Sequence, residues 1–342
     1  MRKVTLGKTN ITTNIIGFGA LPIQRVTNEE AVLLLRKAYD AGVTYFDTAR
    51  VYSDSEEKIG LALSDIRDKI YIATKTLAQT GEDLNKELET SLRLMKTDYI
   101  DVYQLHNPAI VPIPGDESGL YDAALKAKEK GLIRHIGITN HRLKVAEEAA
   151  LSGLYDVLQF PFSYLASEAE VNLGKTCCDR DVGFVAMKAL AGGLITNAAA
   201  AYAYLAEYAN VLPIWGIQRE SELDEFISFI DNPPNLTDEL KSLIDNDRNQ
   251  LSGNFCRACA YCMPCPVNIQ INNCARMSQL IRRSPSSSWV SEDGQKMMNL
   301  IEECTNCNKC TEKCPYNLNT PALLKQNLTD YKNIISGATI IS

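Results

Sequence analysis

Eight cysteines near the end of the chain fall into two sets with spacing suited to metal chemistry. Cys304, Cys307, Cys310 and Cys314, followed by Pro315, reproduce the C-x2-C-x2-C-x3-C-P spacing that holds cubane iron-sulfur clusters in two-cluster ferredoxins. Cys256, Cys259, Cys262 and Cys265, followed by Pro266, repeat it with the last gap one residue shorter. Three thiolates at intervals of three wrap three corners of a compact cube and leave the fourth iron to a distant cysteine. By ferredoxin logic that fourth ligand is exchanged: Cys314 completes the Cys256 set and Cys265 the Cys304 set, with Cys274 as the rival ligand. Zinc is the alternative metal, but zinc ribbons use two C-x2-C pairs held well apart. Nine of the eleven cysteines lie between Cys256 and Cys314, and Cys177 and Cys178, in a helical stretch, read as core or surface thiols.

A second group belongs to the first 230 residues. Asp47, Tyr52, Lys75 and His106 each fall at or just beyond the end of an apolar, β-branched run. An ammonium beside a phenol favours the phenolate and lowers the phenol's pKa, so Lys75, held by Asp47, suits Tyr52 to proton transfer near neutral pH. His106 is then placed to hydrogen-bond a substrate oxygen while hydride reaches the adjoining carbon. Taken singly, such an Asp commonly caps a helix, a Tyr packs and a His is structural; the four together converge on one chemistry. His135 and His141, near the fifth strand end, read as structural, with His141 also within reach of a cofactor.

The elements that must position these side chains are legible as alternation. Strand-like runs end near Ala20, Ala49, Lys75, His106, Asn140, Phe160, Lys188 and Ile217, and the segments between them carry apolar residues at helical spacing. Eight such units predict α/β architecture: a closed (β/α)8 TIM barrel, whose chemistry belongs at the carboxyl ends of the strands. "GFGALP" lacks the third glycine of a dinucleotide fingerprint, which disfavours a Rossmann domain.

"YFDTARVYSDSEEKIG", "IATKT", "VYQLHNP" and "GLIRHIGITN" resemble the signature stretches of the aldo/keto reductases, and the resemblance runs from about Val4 to Phe226. It implies a barrel that binds NAD(P)H without a Rossmann motif and acts on a small carbonyl or alcohol substrate. It also implies a catalytic tetrad of Asp47, Tyr52, Lys75 and His106. By the same resemblance the cofactor meets Asp47, Gly19, Ala20 and Leu21, with Thr139, Asn140 and Gln159 on the nicotinamide carboxamide. From "FVAMKALAGG" it takes Met187, Lys188, Leu190 and Gly193, and from "WGIQRESELDEF" it takes Gly216, Gln218 and Glu222. Two departures stand out. Met187 occupies a place where many members stack an aromatic ring. Glu222 and Phe226 stand where members preferring NADPH carry Arg and Asn; a carboxylate repels a 2′-phosphate and suits an unmodified ribose, though Arg219 could approach the phosphate from another angle.

From the "DNPPN" turn the alternation stops, predicting a barrel over residues 1–234 and a small, mainly α-helical iron-sulfur domain over 235–342. That tail resembles the ferredoxin-like dicluster domain, with two 4Fe-4S clusters, attached to one subgroup of the family. Nicotinamide delivers two electrons together and a cubane cluster accepts one, so the clusters read as electron carriers to a redox partner such as a ferredoxin, as regulators, or as structure. The competing reading is an electron-transfer or nicotinamide-sensing module with little carbonyl turnover.

The totals agree with these readings. The 342 residues are 45% hydrophobic and 23% charged, as in a globular protein of about two domains. A net charge of −7 with no dense basic run argues against nucleic acid. No secretory signal is visible at the start, and the apolar stretch from Asn197 to Ile217 is interrupted by Glu207, Asn210 and Pro213, so it reads as a buried helix and a strand. The expected compartment is the cytoplasm, with no membrane partner.

Overall fold

The computed structural model describes residues 2–251, 255–284 and 286–339. Chain contacts divide it into two units: Met1–Ala189 with Ala198–Lys241, and Leu190–Asn197 with Ser242–Ser342.

The first unit is a closed barrel. Its strands are Gly17–Gly19 (β1), Tyr45–Asp47 (β2), Tyr71–Thr76 (β3), Ile100–His106 (β4), Ile133–Thr139 (β5), Val157–Pro161 (β6), Gly183–Met187 (β7) and Val211–Gly216 (β8). Every neighbouring pair is parallel, and β8 closes on β1. Helices lie between successive strands, among them Asn28–Asp40 (α1), Ser55–Leu63 (α2), Gly81–Met95 (α3), Leu120–Glu129 (α4), Leu143–Leu151 (α5), Glu168–Asp179 (α6) and Ala198–Ala206 (α7), with Glu220–Asp231 (α8) after β8. Several start on side-chain caps written into the sequence. Thr27 and Glu30 form a capping box on α1, and Ser167 and Glu170 another on α6, devices that contribute about 1 kcal/mol each.

Period-two alternation sorts the strand residues into an inward and an outward face. Inward, Tyr45, Ala73, Val102, Val157, Val185 and Leu212 form an apolar layer. Two residues further along their strands stand Asp47, Lys75, Gln104 and Gln159 together with the apolar Met187 and Ile214, so the lower barrel is apolar and the layer above it carries the polar groups on one side. The register of β3 to β4 sets Lys75 beside Gln104, and that of β5 to β6 sets Thr139 beside Gln159.

A feature absent from the sequence reading closes the bottom. Lys3–Thr5 and Thr12–Asn14 pair antiparallel, and Val4, Leu6 and Ile11 pack into the apolar layer. These strands are three residues each, too short for their alternation to stand out from a turn.

The second unit is helical. Thr320–Ile335 packs on Met277–Arg283, burying Leu324, Leu328 and Tyr331 of the first and Met277, Leu280 and Ile281 of the second. The buried Asn327 amide ties them together by accepting from Ser278 N at 2.8 Å and donating to Ala275 O at 3.3 Å. Among the described residues no helix is long and apolar enough to cross a membrane.

Candidate active site and candidate metal centre

The polar layer of the barrel converges on Asp47. Lys75 Nζ donates to Asp47 Oδ1 at 2.6 Å and to Thr48 O at 2.5 Å, with Lys75 1% and Asp47 2% exposed. Gln104 Nε2 reaches Asp47 Oδ2 at 3.3 Å and Gln159 Nε2 reaches Oδ1 at 3.4 Å. Burial pushes the Asp47 carboxyl up and the Lys75 ammonium down from their ordinary values, and their mutual contact opposes both shifts. With Thr48 O on the ammonium and the two glutamine amides on the carboxylate, the pair is held as an ion pair. Replacing Lys75 with Met leaves Asp47 buried and uncompensated, and is expected to cost about 3–5 kcal/mol. Denaturant unfolding measures this, and an unchanged midpoint would refute the charged state of Asp47.

Tyr52 is brought to this pair by the loop after β2. That loop is fastened along β3 by Thr48 N to Ala73 O at 2.8 Å and Arg50 N to Lys75 O at 2.9 Å. It then turns, with Ser53 in the left-handed region at φ 38°. The turn is anchored by Glu56 in the first turn of α2: its buried carboxylate accepts from Thr74 at 2.7 Å and Ser91 at 2.8 Å and pairs with Arg50. The result places Lys75 Nζ 5.3 Å from the Tyr52 ring centroid, while the His106 ring meets Tyr52 edge-on at 6.3 Å between centroids.

Burial, reinforced by the Lys75 charge, pushes His106 down to about 3, so its imidazole is neutral at physiological pH. A folded value below the ordinary 6.5 means that the unfolded chain takes up this proton first as pH falls. The contribution to stability is therefore complete above about pH 6.5 and is lost between there and 3. Compared by denaturation across that window, His106→Asn is expected to lose less stability than the parent; parallel curves would contradict the assignment.

The other sequence-predicted cofactor residues are distributed unequally. Thr139 Oγ1, Gln159 Oε1, Gln104 Oε1 and His106 Nδ1 are buried without a hydrogen-bond partner among the described residues, a state that is costly unless a bound group satisfies it. Asn140, by contrast, is committed locally, donating to Pro108 O at 2.8 Å and accepting from Arg142 N at 2.8 Å. Gly19 ends β1, where an added Cβ would lie 3.0 Å from Trp215 O; Ala20 is buried and Leu21 exposed. Met187 is half-buried against the apolar layer, and Lys188 follows it in the left-handed region. Leu190 and Gly193 belong to the second unit.

At α8, Gly216 is exposed and Gln218 partly so. Glu222 Oε2 accepts from Gln218 N at 2.9 Å and Arg219 N at 3.0 Å, and its Oε1 takes Arg219 Nε and Nη2 at 2.9 and 2.6 Å. Burial pushes this carboxyl up, but the hydrogen bonds and the guanidinium outweigh it and leave it below its ordinary value. Phe226 is stacked on Trp215, with centroids 4.4 Å apart.

In the second unit the cysteines gather around two cavities. One, of about 360 Å³, is lined by Cys256, Cys259, Cys262 and Cys314. The other, of about 400 Å³, is lined by Cys265, Cys304, Cys307 and Cys310, and Cys262 borders both. Cys274 lines neither: it is fully buried, and its Sγ faces Met297 O at 3.8 Å. The loops repeat one another, with Ala258 and Ala260 in the left-handed region as are Asn306 and Asn308, and Asn268 matched by Asn317. Backbone of this kind presents N–H groups to an anionic guest. Burial and the neighbouring Cys256 and Cys259 push the Cys262 thiol up to about 12, the crowding that a cationic iron core relieves. The thiols surround a space rather than converge on a point; among the described residues no three metal-ligating groups close on a single ion.

Sequence reasoning missed Gln104, although it stood at an inward position two residues before His106 in "YIDVYQLH". A polar residue inside a strand buried on both faces was the available signal.

Comparisons with known proteins agree with this geometry. Residues 255–319 match the 4Fe-4S dicluster domain. An aldo-keto reductase of Bacillus subtilis is 29% identical over 222 residues, 58% of this chain and 64% of that one, so the chain spans less than two thirds of that relative's length. A solved aldo-keto reductase from Bacillus halodurans, in its holo form, superposes with a TM-score of 0.64 at 21% identity over 72% of this chain and 96% of that one. One from Klebsiella pneumoniae, in complex with NADPH, gives 0.62 at 22% identity over 72% and 94%. Residues 15–200, which include Asp47, Tyr52, Lys75 and His106, match the aldo/keto reductase family, and with its eight-stranded parallel barrel the chain belongs to that family.

Proposed function

We propose that the barrel transfers hydride between NAD(P)H and a small carbonyl or alcohol substrate, and that the second unit holds two 4Fe-4S clusters. The observation that carries the first part is the buried Lys75–Asp47 pair beside the Tyr52 ring. Bound reduced nicotinamide supplies the hydride. Thr139 Oγ1 and Gln159 Oε1, buried and without a partner among the described residues, offer a hydroxyl and an acceptor to its carboxamide. Lys75 stabilises negative charge on Tyr52, which makes the phenol a workable proton donor to the substrate oxygen. Asp47 holds the ammonium in place, and neutral His106 orients the same oxygen through a ring N–H. In the reverse direction Tyr52 takes the proton back.

The Arg219 fork is closed on Glu222, so the start of α8 presents a neutralised pair and not a free cation. This favours an unmodified ribose over a 2′-phosphate, and NADH over NADPH.

For the second unit, Cys256, Cys259, Cys262 and Cys314 would hold one cluster, and Cys304, Cys307, Cys310 and Cys265 the other. Cys307 is exposed, which gives the second cluster an edge from which a partner protein such as a ferredoxin can exchange electrons. The test is anaerobic protein mixed with NADH or NADPH and a panel of aldehydes and ketones, followed by nicotinamide absorbance. Oxidation is expected with at least one carbonyl and with higher kcat/KM for NADH; oxidation with none removes the enzymatic reading.

A further inference from the structure

A buried cation follows directly on a residue that lines the first cysteine cavity. Arg276 is 8% exposed and follows Ala275, which lines that cavity together with Cys256. Its Nη1 donates to Gly192 O at 2.9 Å, and its Nε–H is buried with no acceptor among the described residues. Arg282 and Arg283 close on Asp330 and Asp247, but Arg276 has no carboxylate partner among the described residues. A guanidinium taken out of water without an anion is strongly unfavourable, so a fold that buries one needs negative charge beside it. The thiols answer that need: Ala275, the residue before Arg276, lines the same space as Cys256, Cys259, Cys262 and Cys314.

We infer that Arg276 is the charge partner of the cluster on Cys256, Cys259, Cys262 and Cys314, and that it raises that cluster's reduction potential. This rests on the two-cluster reading above. Reduction adds a negative charge to the cluster, so a fixed cation nearby stabilises the reduced form more than the oxidised form. The effect falls on one cluster, because Ala275, next to Arg276, lines only the first cavity, whereas the second is bordered by the exposed Cys307 and Lys309, where water screens charge. Arg276 is a tuning residue and touches no substrate.

The experiment is a potentiometric titration of the anaerobic full-length protein followed by electron paramagnetic resonance, with iron content measured on each sample. Arg276→Gln is expected to make one of two reduction steps about tenfold less favourable, ~59 mV for a one-electron step, and to leave the other in place. Arg276→Lys, which keeps the charge, should retain most of the parent potential. Full iron with neither step moved in Arg276→Gln overturns the inference. If Arg276→Gln loses iron, Arg276→Lys decides: restored iron supports the charge role, whereas continued loss means that the residue serves only to fasten Gly192. A parent protein without iron would instead refute the two-cluster reading, and is seen before any variant is made.

Discussion

Replacing Tyr52 with Phe is expected to lower kcat for carbonyl reduction by about 10²–10⁴-fold, the usual worth of a positioned general acid. Nicotinamide binding, read from nucleotide fluorescence, should change little, because the groups proposed to hold the carboxamide lie on β5 and β6. The substitution removes one oxygen and keeps the ring against which Lys75 and His106 are packed, so a loss of rate cannot be ascribed to a collapsed site. A ratio of kcat to that of the parent near one would show that protons come from elsewhere, and the role of the ion pair beneath Tyr52 would then have to be purely structural.

The second large effect concerns ligand exchange between the cysteine sets. Cys314→Ala is expected to remove about half of the iron, since it takes the distant ligand from the cluster of the Cys256 set and leaves the other intact. Cys265→Ala should do the same to the opposite cluster. Cys274→Ala should keep all of the iron, its thiol being turned toward Met297 O and away from both cavities. Iron and sulfide analysis on anaerobic protein, with the visible absorbance of each variant, checks all three. Loss of iron in Cys274→Ala, with retention in Cys314→Ala, would reassign the ligands.

Much of the barrel was legible because parallel strands buried on both faces announce themselves as continuous apolar runs, and those of β1 to β8 are distinct in the sequence. Asp47, Lys75 and His106 were legible for a related reason: an ionisable residue at the end of such a run has few structural uses. The N-terminal pair of strands was not, being too short to show a period. Nor was the fate of Asn140 and Glu222, whose side chains are used by hydrogen bonds to nearby backbone that no residue type specifies in advance. Arg276 was hidden more deeply. Nothing in "NNCARMSQL" marks its arginine as buried, since that depends on where residues 190–197 lie.

That segment carries a consequence for inheritance. Residues 190–197 interrupt the barrel's own run of chain, yet Gly192 O and Leu194 O are satisfied by Arg276 and Arg283, some ninety positions later. A gene fragment stopped after the last barrel helix would strand both carbonyls, and the tail grafted onto a different reductase would arrive without its seat. The two stretches can be shuffled in evolution or in the laboratory only as a matched set.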